Sequence, residues 1–279
     1  KDMSEKQRLC LSIHLPFAQT MCLADGERRV LGASAKTRMA YMDALTREAI
    51  AAAADCADYE IEKIHVHGAS QCISPVRLFR LIETVRGSFS MCKHPAFIID
   101  CDPCDFDVPT LVYYKEMGMT LLNLRLYSAV KCENEAIERV RAHYALSDIM
   151  PFIRDCAIGE VGAIVSYGLP LQHEDTLIET LEACNQYTLC VLTLCSFDGQ
   201  TPIPRYAVDY LASKGYVREN NRFVLSGHGT MTEEAQTLAL GAGGVSVMNG
   251  VKARMTSDMD RYIADAGDVT KILEEATLI

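Results

Sequence analysis

The chain has 279 residues, 49% of them hydrophobic and 23% charged, a balance that excludes a disordered chain and allows one large core. With 27 Lys and Arg against 37 Asp and Glu, the net charge is -10. An acidic surface repels phosphate backbones, so no nucleic-acid partner is expected. No apolar run approaches the roughly 20 residues of a membrane span, and the first ten residues are polar, so no membrane partner and no signal peptide are expected. Twelve cysteines without a secretory segment point to free thiols in a reducing cytoplasm rather than to a disulfide scaffold.

Apolar runs of strand length alternate with amphipathic stretches of helix length. Strands are expected at residues 9–15, 61–67, 95–100, 119–127, 161–167 and 187–195. Helices are expected at 35–57, from Pro75 onward, through 112–117, within 134–156, at 174–185 and at 203–214. Pro151 is expected to break or begin a helix. The order implies right-handed βαβ units and a parallel sheet, either an incomplete barrel or a doubly wound sheet. After about residue 214 the style changes. A hairpin turning at Asn220-Asn221 is followed by a glycine cluster at Gly241-Ala-Gly-Gly244 and a final helix.

Ligands of such folds bind beyond the carboxyl ends of the strands. There the chain reads His14-Leu-Pro-Phe-Ala18, then Cys22 and Asp25; Tyr167-Gly-Leu-Pro170; and, in the tail, Gly241-Ala-Gly-Gly-Val-Ser246. In this order the segments resemble the oxygen-independent coproporphyrinogen III oxidase family of radical S-adenosylmethionine (SAM) enzymes. That family's first strand ends His-Ile-Pro-Phe-Cys-x-x-x-Cys-x-x-Cys. A Tyr-Gly-Leu-Pro turn follows its fifth strand, and its tail carries Gly-x-Gly-Ala-x-Ser. The resemblance runs from about residue 9 to 263. It implies an α/β fold, a partial (β/α)6 TIM-like barrel of the radical SAM type over 1–200, with a C-terminal extension over 201–279 packed on it. The family's separate C-terminal domain is expected to be absent.

The departures carry as much meaning as the match. The family's three cluster cysteines fall on Ala18, Cys22 and Asp25. Three thiolates hold the [4Fe–4S] cube, and its open iron chelates SAM. Ala18 has no donor atom, and an Asp25 oxygen is a poor substitute for sulfur. The family's glycine loop after strand two becomes His67-Gly68-Ala69-Ser70, putting side chains where SAM's amino group would approach. Glu-x-Asn-Pro becomes Asp100-Cys101-Asp102-Pro103. Family ligand-facing positions in strand four fall on 121–127, with Arg125 at a glycine. Gly-Arg-x-His becomes Val140-Arg141-Ala142-His143.

Candidate ligand contacts are His14 and His67 at strand ends, Gly68, Asp100, Arg125 and Arg141, with Gly241 and Gly243 carried over from the resemblance. Arg125 and Arg141 suit the propionates of a tetrapyrrole. Cys22, Cys101 and Cys104 are candidate metal ligands, although one CxxC pair is a weak signal. His65 and His67 share a face of their strand, and a polar interior would leave both simply hydrogen-bonded. His228, between two glycines, is a candidate axial haem ligand. The glycine cluster is not a P-loop, since it lacks the Lys-Ser/Thr and no strand leads through it into a helix.

Three readings of function follow. The leading one is a barrel that has lost [4Fe–4S]/SAM radical chemistry and binds a small anionic molecule, such as haem or another tetrapyrrole, at its mouth. The second is an active metalloenzyme with a relocated iron–sulfur or other metal site built from Cys22 and neighbouring Cys and His. The third is a non-catalytic partner of a complete radical SAM paralogue. A homodimer is compatible with each.

Overall fold

The computed structural model describes residues 6–18, 22–24, 30–103, 107–139, 145–228 and 236–279. In chain order it comprises β1 (Gln7–Leu15), β2 (Phe17–Ala18), β3 (Val30–Leu31), α1 (Ala35–Asp55), β4 (Tyr59–Gly68), α2 (Pro75–Ser88), β5 (Met91–Cys101), α3 (Val108–Glu116), β6 (Leu121–Tyr127), α4 (Lys131–Ala136), α5 (Leu146–Asp155), β7 (Glu160–Tyr167), α6 (Glu174–Gln186), β8 (Val191–Ser196), α7 (Arg205–Ser213), β9 (Tyr216–Glu219) and β10 (Arg222–Leu225). The tail adds β11 (Thr237–Leu240), β12 (Val245–Met248), β13 (Val251–Met255), α8 (Met259–Asp265), α9 (Val269–Ile272) and β14 (Leu273–Leu278).

One sheet runs in the order β14-β13-β12-β11-β1-β4-β5-β6-β7-β8-β10-β9. Its centre, β1 through β8, is parallel, each strand feeding the next through helical sequence. That is the arrangement expected from the alternating pattern. At one edge the β9–β10 hairpin adds antiparallel to β8. At the other, β11 lies parallel to β1, and an antiparallel meander of β12, β13 and β14 completes the sheet. Strands from both sides of residue 200 thus share one hydrogen-bonded sheet.

Period-2 alternation divides each central strand into two faces. Leu9, Leu11, Ile13 and Leu15 of β1, Ile64 and Val66 of β4, and Leu122, Leu124 and Leu126 of β6 enter the main core. The apolar stripes of the helices pack there too, including Leu78, Leu81, Ile82 and Val85 of α2. The alternate positions, among them Ser12, His14, Lys63, His65, His67, Asp100, Asn123 and Arg125, line the concave side as a polar trough. A smaller apolar group, Ile98, Leu121, Val191 and Val224 with Cys190, closes the trough at the end where the parallel strands begin.

The structure corrects three local expectations. Pro151 lies inside α5 and neither begins nor ends it. It removes one backbone donor, but Leu146, Ile149, Met150 and Ile153 bury one face of the helix and outweigh that loss. The sixth central strand begins at Val191, not at 187, because α6 runs to Gln186 and Thr188 takes φ 55° to turn the chain. The chain does not end in a helix: two short helices lead into β14, which covers the edge of β13. No helix among the described residues is long and apolar enough to cross a membrane.

Candidate functional site at the trough mouth

The carboxyl ends of β1, β4, β5 and β6 bring most of the sequence candidates together. His14 and His67 stack with ring centroids 4.9 Å apart and planes 11° from parallel. His65 follows, with its ring 5.6 Å from that of His67. The His14 Nδ1 lies 2.8 Å from the Ala242 carbonyl oxygen, which can only accept, so Nδ1 carries the proton. His67 Nε2 is 2.9 Å from the Ser12 hydroxyl, and His65 Nε2 is 2.8 Å from Asp100 Oδ1. The shared face of His65 and His67 is therefore polar and hydrogen-bonded.

Asp100 is 3% exposed. Burial pushes its carboxyl up, but His65, Arg125 and the Asn123 amide together hold it below the usual carboxylate range. Asn123 Nδ2 donates to the same Oδ1 at 2.9 Å. Cys195, on β8, has its thiol pushed up by burial and by the Asp100 charge, with Arg125 opposing.

Arg125 is buried in the trough wall, and its Nε donates to the Tyr127 hydroxyl at 2.9 Å. A bulge separates these two residues, and Tyr127 adopts φ 60°, which re-aims the end of β6. Arg139 covers the Tyr127 ring with its guanidinium carbon 4.8 Å from the centroid. It also bridges Asp102 at 2.7 Å and the Leu126 carbonyl at 2.8 Å. Two guanidiniums therefore lie within 6 Å of one aromatic ring, at 5.8 Å for Arg125 and 4.8 Å for Arg139.

The glycines have structural explanations. Gly68 has φ +95°, and a Cβ there would lie 2.2 Å from the Leu15 carbonyl oxygen. Gly241 has φ +109°, with a Cβ only 2.6 Å from both the His14 carbonyl oxygen and the Tyr41 hydroxyl. Gly243 lines a cavity of about 920 Å3 that opens beside His14 and His67 and extends to Arg254, Asp258 and Glu274 of the tail. The cluster follows strand β11 but leads to strand β12, so it has no phosphate-binding helix behind it.

A buried clamp secures this loop to α1. Glu48, 1% exposed, accepts from the Gly241 amide at 2.8 Å and from the Tyr262 hydroxyl at 2.5 Å. Burial pushes its carboxyl up to about 7, although both hydrogen bonds pull it down. Tyr41 donates to the His14 carbonyl at 2.7 Å and accepts from the Ala242 amide at 3.1 Å.

Other candidates fall elsewhere. Cys101 is fully buried in the main core with Phe97 and Ile99, on the face of β5 opposite Asp100. The two-residue strand period turns it away from the mouth, which corrects its reading as a metal ligand there. Cys22 packs against the small cluster of Tyr127, Ile137 and Leu169, tying the loop after β1 to the Tyr-Gly-Leu-Pro turn. Arg141, Cys104 and Asp25 lie outside the described residues. Among the described residues no three His, Cys, Asp or Glu side chains converge as a metal site. His228 pairs with Glu160, the first residue of β7, at 3.3 Å, so it sits at the opposite end from the mouth and not where a mouth-bound haem would need it.

Sequence reasoning passed over Ser12, Asn123, Tyr127, Arg139 and Glu48. Ser12 and Asn123 were findable, each two positions from a named residue on its strand. Glu48 carried no signal: it is one acid in an Ala-rich helix.

No family model matches the chain. It is 22% identical over 185 residues to the oxygen-independent coproporphyrinogen III oxidase of Synechocystis sp., covering 65% of this chain and 40% of that protein. The corresponding enzyme of Paracoccus denitrificans gives 22% over 176 residues, covering 62% and 39%. The chain thus aligns with about two fifths of each curated relative's length. Among solved structures, Escherichia coli coproporphyrinogen III oxidase (HemN), described as a radical SAM enzyme, superposes with a TM-score of 0.81 at 16% identity. That match covers 98% of this chain and 72% of the other. The architecture is thus the α/β fold of that structure, with its large parallel-dominated sheet. By sequence the chain is similar to part of oxygen-independent coproporphyrinogen III oxidase.

Proposed function

We propose that this protein binds a small anionic ligand, a tetrapyrrole carboxylate in the leading case, at the mouth of its trough, without [4Fe–4S]/SAM radical chemistry. The observation that carries the reading is the pair of guanidiniums, Arg125 and Arg139, 5.8 and 4.8 Å from the Tyr127 ring at the carboxyl end of β6, in a chain of net charge -10. Guanidinium forks suit the carboxylate arms of such a ligand. The cavity of about 920 Å3 beside His14 and His67 has room for one. Likeness to the coproporphyrinogen oxidases supports the choice of ligand class.

The donor set does not fit a three-thiolate cluster. Between Leu15 and Val30 the chain has one cysteine, Cys22, and Ala18 offers a methyl group. No radical step is proposed. The test has two arms. The protein is purified and reconstituted anaerobically beside Cys22→Ala, and iron, sulfide, zinc and SAM cleavage are measured. Coproporphyrin III and haem are then titrated and followed by absorbance. Saturable porphyrin binding without stoichiometric iron and sulfide is expected. Near-stoichiometric iron and sulfide, lost in Cys22→Ala, overturn the non-radical reading. Absence of saturable porphyrin binding overturns the ligand class.

A further inference from the structure

The large sheet has two edges, β9 and β14. An open edge offers a row of backbone donors and acceptors to another chain. β9 has only 4 residues, and its Arg218 folds back onto Asn220 and the Phe223 ring. β14 has 6, and every residue from Glu274 onward is exposed, Leu278 at 88% and the following Ile279 at 71%. Among the described residues no strand lies beyond it.

The inner neighbour fixes the hydrogen-bond phase of β14. Ile279 donates its amide to the Gly250 carbonyl at 2.9 Å. Opposed pairs in an antiparallel ladder alternate between bonded and non-bonded. Thr277 and Glu275 therefore bond to Lys252 and Arg254, while Leu278–Val251 and Ala276–Ala253 are non-bonded pairs. The amides and carbonyls of Ala276 and Leu278 thus point outward. Glu274, at the bulge, has no partner on β13.

This phase makes the strand complementary to itself. A second, antiparallel β14 must bond through the same outward positions. A two-fold axis at Glu275 would set that carboxylate against its own copy in a non-bonded pair, where side chains come closest and like charges destabilise. An axis at Thr277 would leave Glu274 unpaired. An axis at Ala276 gives the longest bonded run: Ala276 with its copy, and Glu274 with Leu278 in both directions. Glu275 then faces Thr277 of the second copy, and no carboxylate faces another. Edge charges guard against indiscriminate pairing, and here they leave this register open. Since Thr277 also faces Lys252, and Glu275 faces Arg254, the carboxylates cross the joint between cations.

We propose that β14 pairs antiparallel with β14 of a second copy of this chain, about a two-fold axis at Ala276, so that the two sheets join in a homodimer. The pairing does not depend on what the trough binds.

Sedimentation equilibrium of the full chain over a wide range of concentration is the test. A monomer–dimer equilibrium is expected. Ala276→Pro should abolish it. Proline removes the amide at the axis but no bond to β13, and it is tolerated where an edge amide faces solvent. The register is tested at Thr277. Thr277→Lys should tighten the dimer about fivefold, and Thr277→Glu should weaken it about fivefold, through the Glu275 of the second copy. Within one chain position 277 faces Lys252, so Thr277→Glu should leave the monomer at least as stable to urea as Thr277→Lys. Circular dichroism confirms that each variant folds, and the Thr277 pair carries the test if Ala276→Pro does not. A monomer at every concentration, a dimer that persists in folded Ala276→Pro, or Thr277 variants that fail to move the dimer in opposite directions overturns the proposal.

Discussion

His14 and Ala242, 228 positions apart, are joined by a hydrogen bond of 2.8 Å from the imidazole Nδ1 to the backbone carbonyl. The bond fixes the tautomer of a histidine at the trough mouth. Its acceptor belongs to the turn that Glu48 and Tyr41 hold from α1. The tail therefore helps to shape the site that β1 and β4 present.

The tightest point of this joint is Gly241. Alanine there meets the His14 carbonyl and the Tyr41 hydroxyl, and the positive φ strains any side chain. Gly241→Ala should cost about 3 kcal/mol. Gly243→Ala, whose Cβ would meet nothing closer than Ser257 at 3.9 Å, should cost about 1 kcal/mol from its φ of +75°. Urea unfolding of the two variants beside the parent protein checks the order; equal losses would deny the close approach at Gly241.

Glu48 makes stability depend on pH. Its folded pKa of about 7 lies above the unfolded carboxyl value of about 4.3. The folded state therefore binds more protons between those values. Its contribution is full below about pH 4, and it is lost as pH rises through 7. Glu48→Gln keeps an acceptor for Gly241 and Tyr262 but removes this slope. The stability of the parent relative to Glu48→Gln should fall between pH 4.5 and 8, by up to about 3 kcal/mol. Chemical denaturation at several pH values measures the difference; a flat difference would mean that Glu48 titrates normally.

The central parallel strands were legible because burial on one face leaves a period-2 signature, as in Leu9, Leu11, Ile13 and Leu15 against Ser12 and His14. The same rule, applied at Cys101, would have placed it behind Asp100. The closing strand β14 was not legible. Its sequence, LEEATL, is largely exposed and has good helix formers, and it becomes a strand only by pairing with β13.

Asp100 titrates in the opposite sense to Glu48. Its folded pKa is held below the unfolded value, so its contribution is present above about pH 4 and is lost as pH falls through the folded pKa. Asp100→Asn leaves His65, Asn123 and Arg125 without their anion. It should cost about 2–3 kcal/mol at pH 7. The gap from the parent should narrow in acid, as Asp100 in the parent becomes protonated. Unfolding free energies at pH 7 and pH 3.5 provide the comparison, and a gap that widens in acid would contradict the assignment.

Arg125→Lys separates charge from geometry at the mouth. Lysine keeps the positive charge but loses the planar fork and the Nε–H that reaches the Tyr127 hydroxyl at 2.9 Å. If porphyrin carboxylates are gripped by paired guanidinium donors, coproporphyrin III should bind about tenfold more weakly to Arg125→Lys, and Arg125→Ala should lose still more. Raising salt should weaken the parent's binding only modestly, because Arg125 is buried in the trough wall and sheltered from counter-ions. Absorbance titrations of the three proteins at low and high salt measure this. Equal affinity for all three would remove Arg125 from the binding surface and move the search for the anion's partner to Arg139.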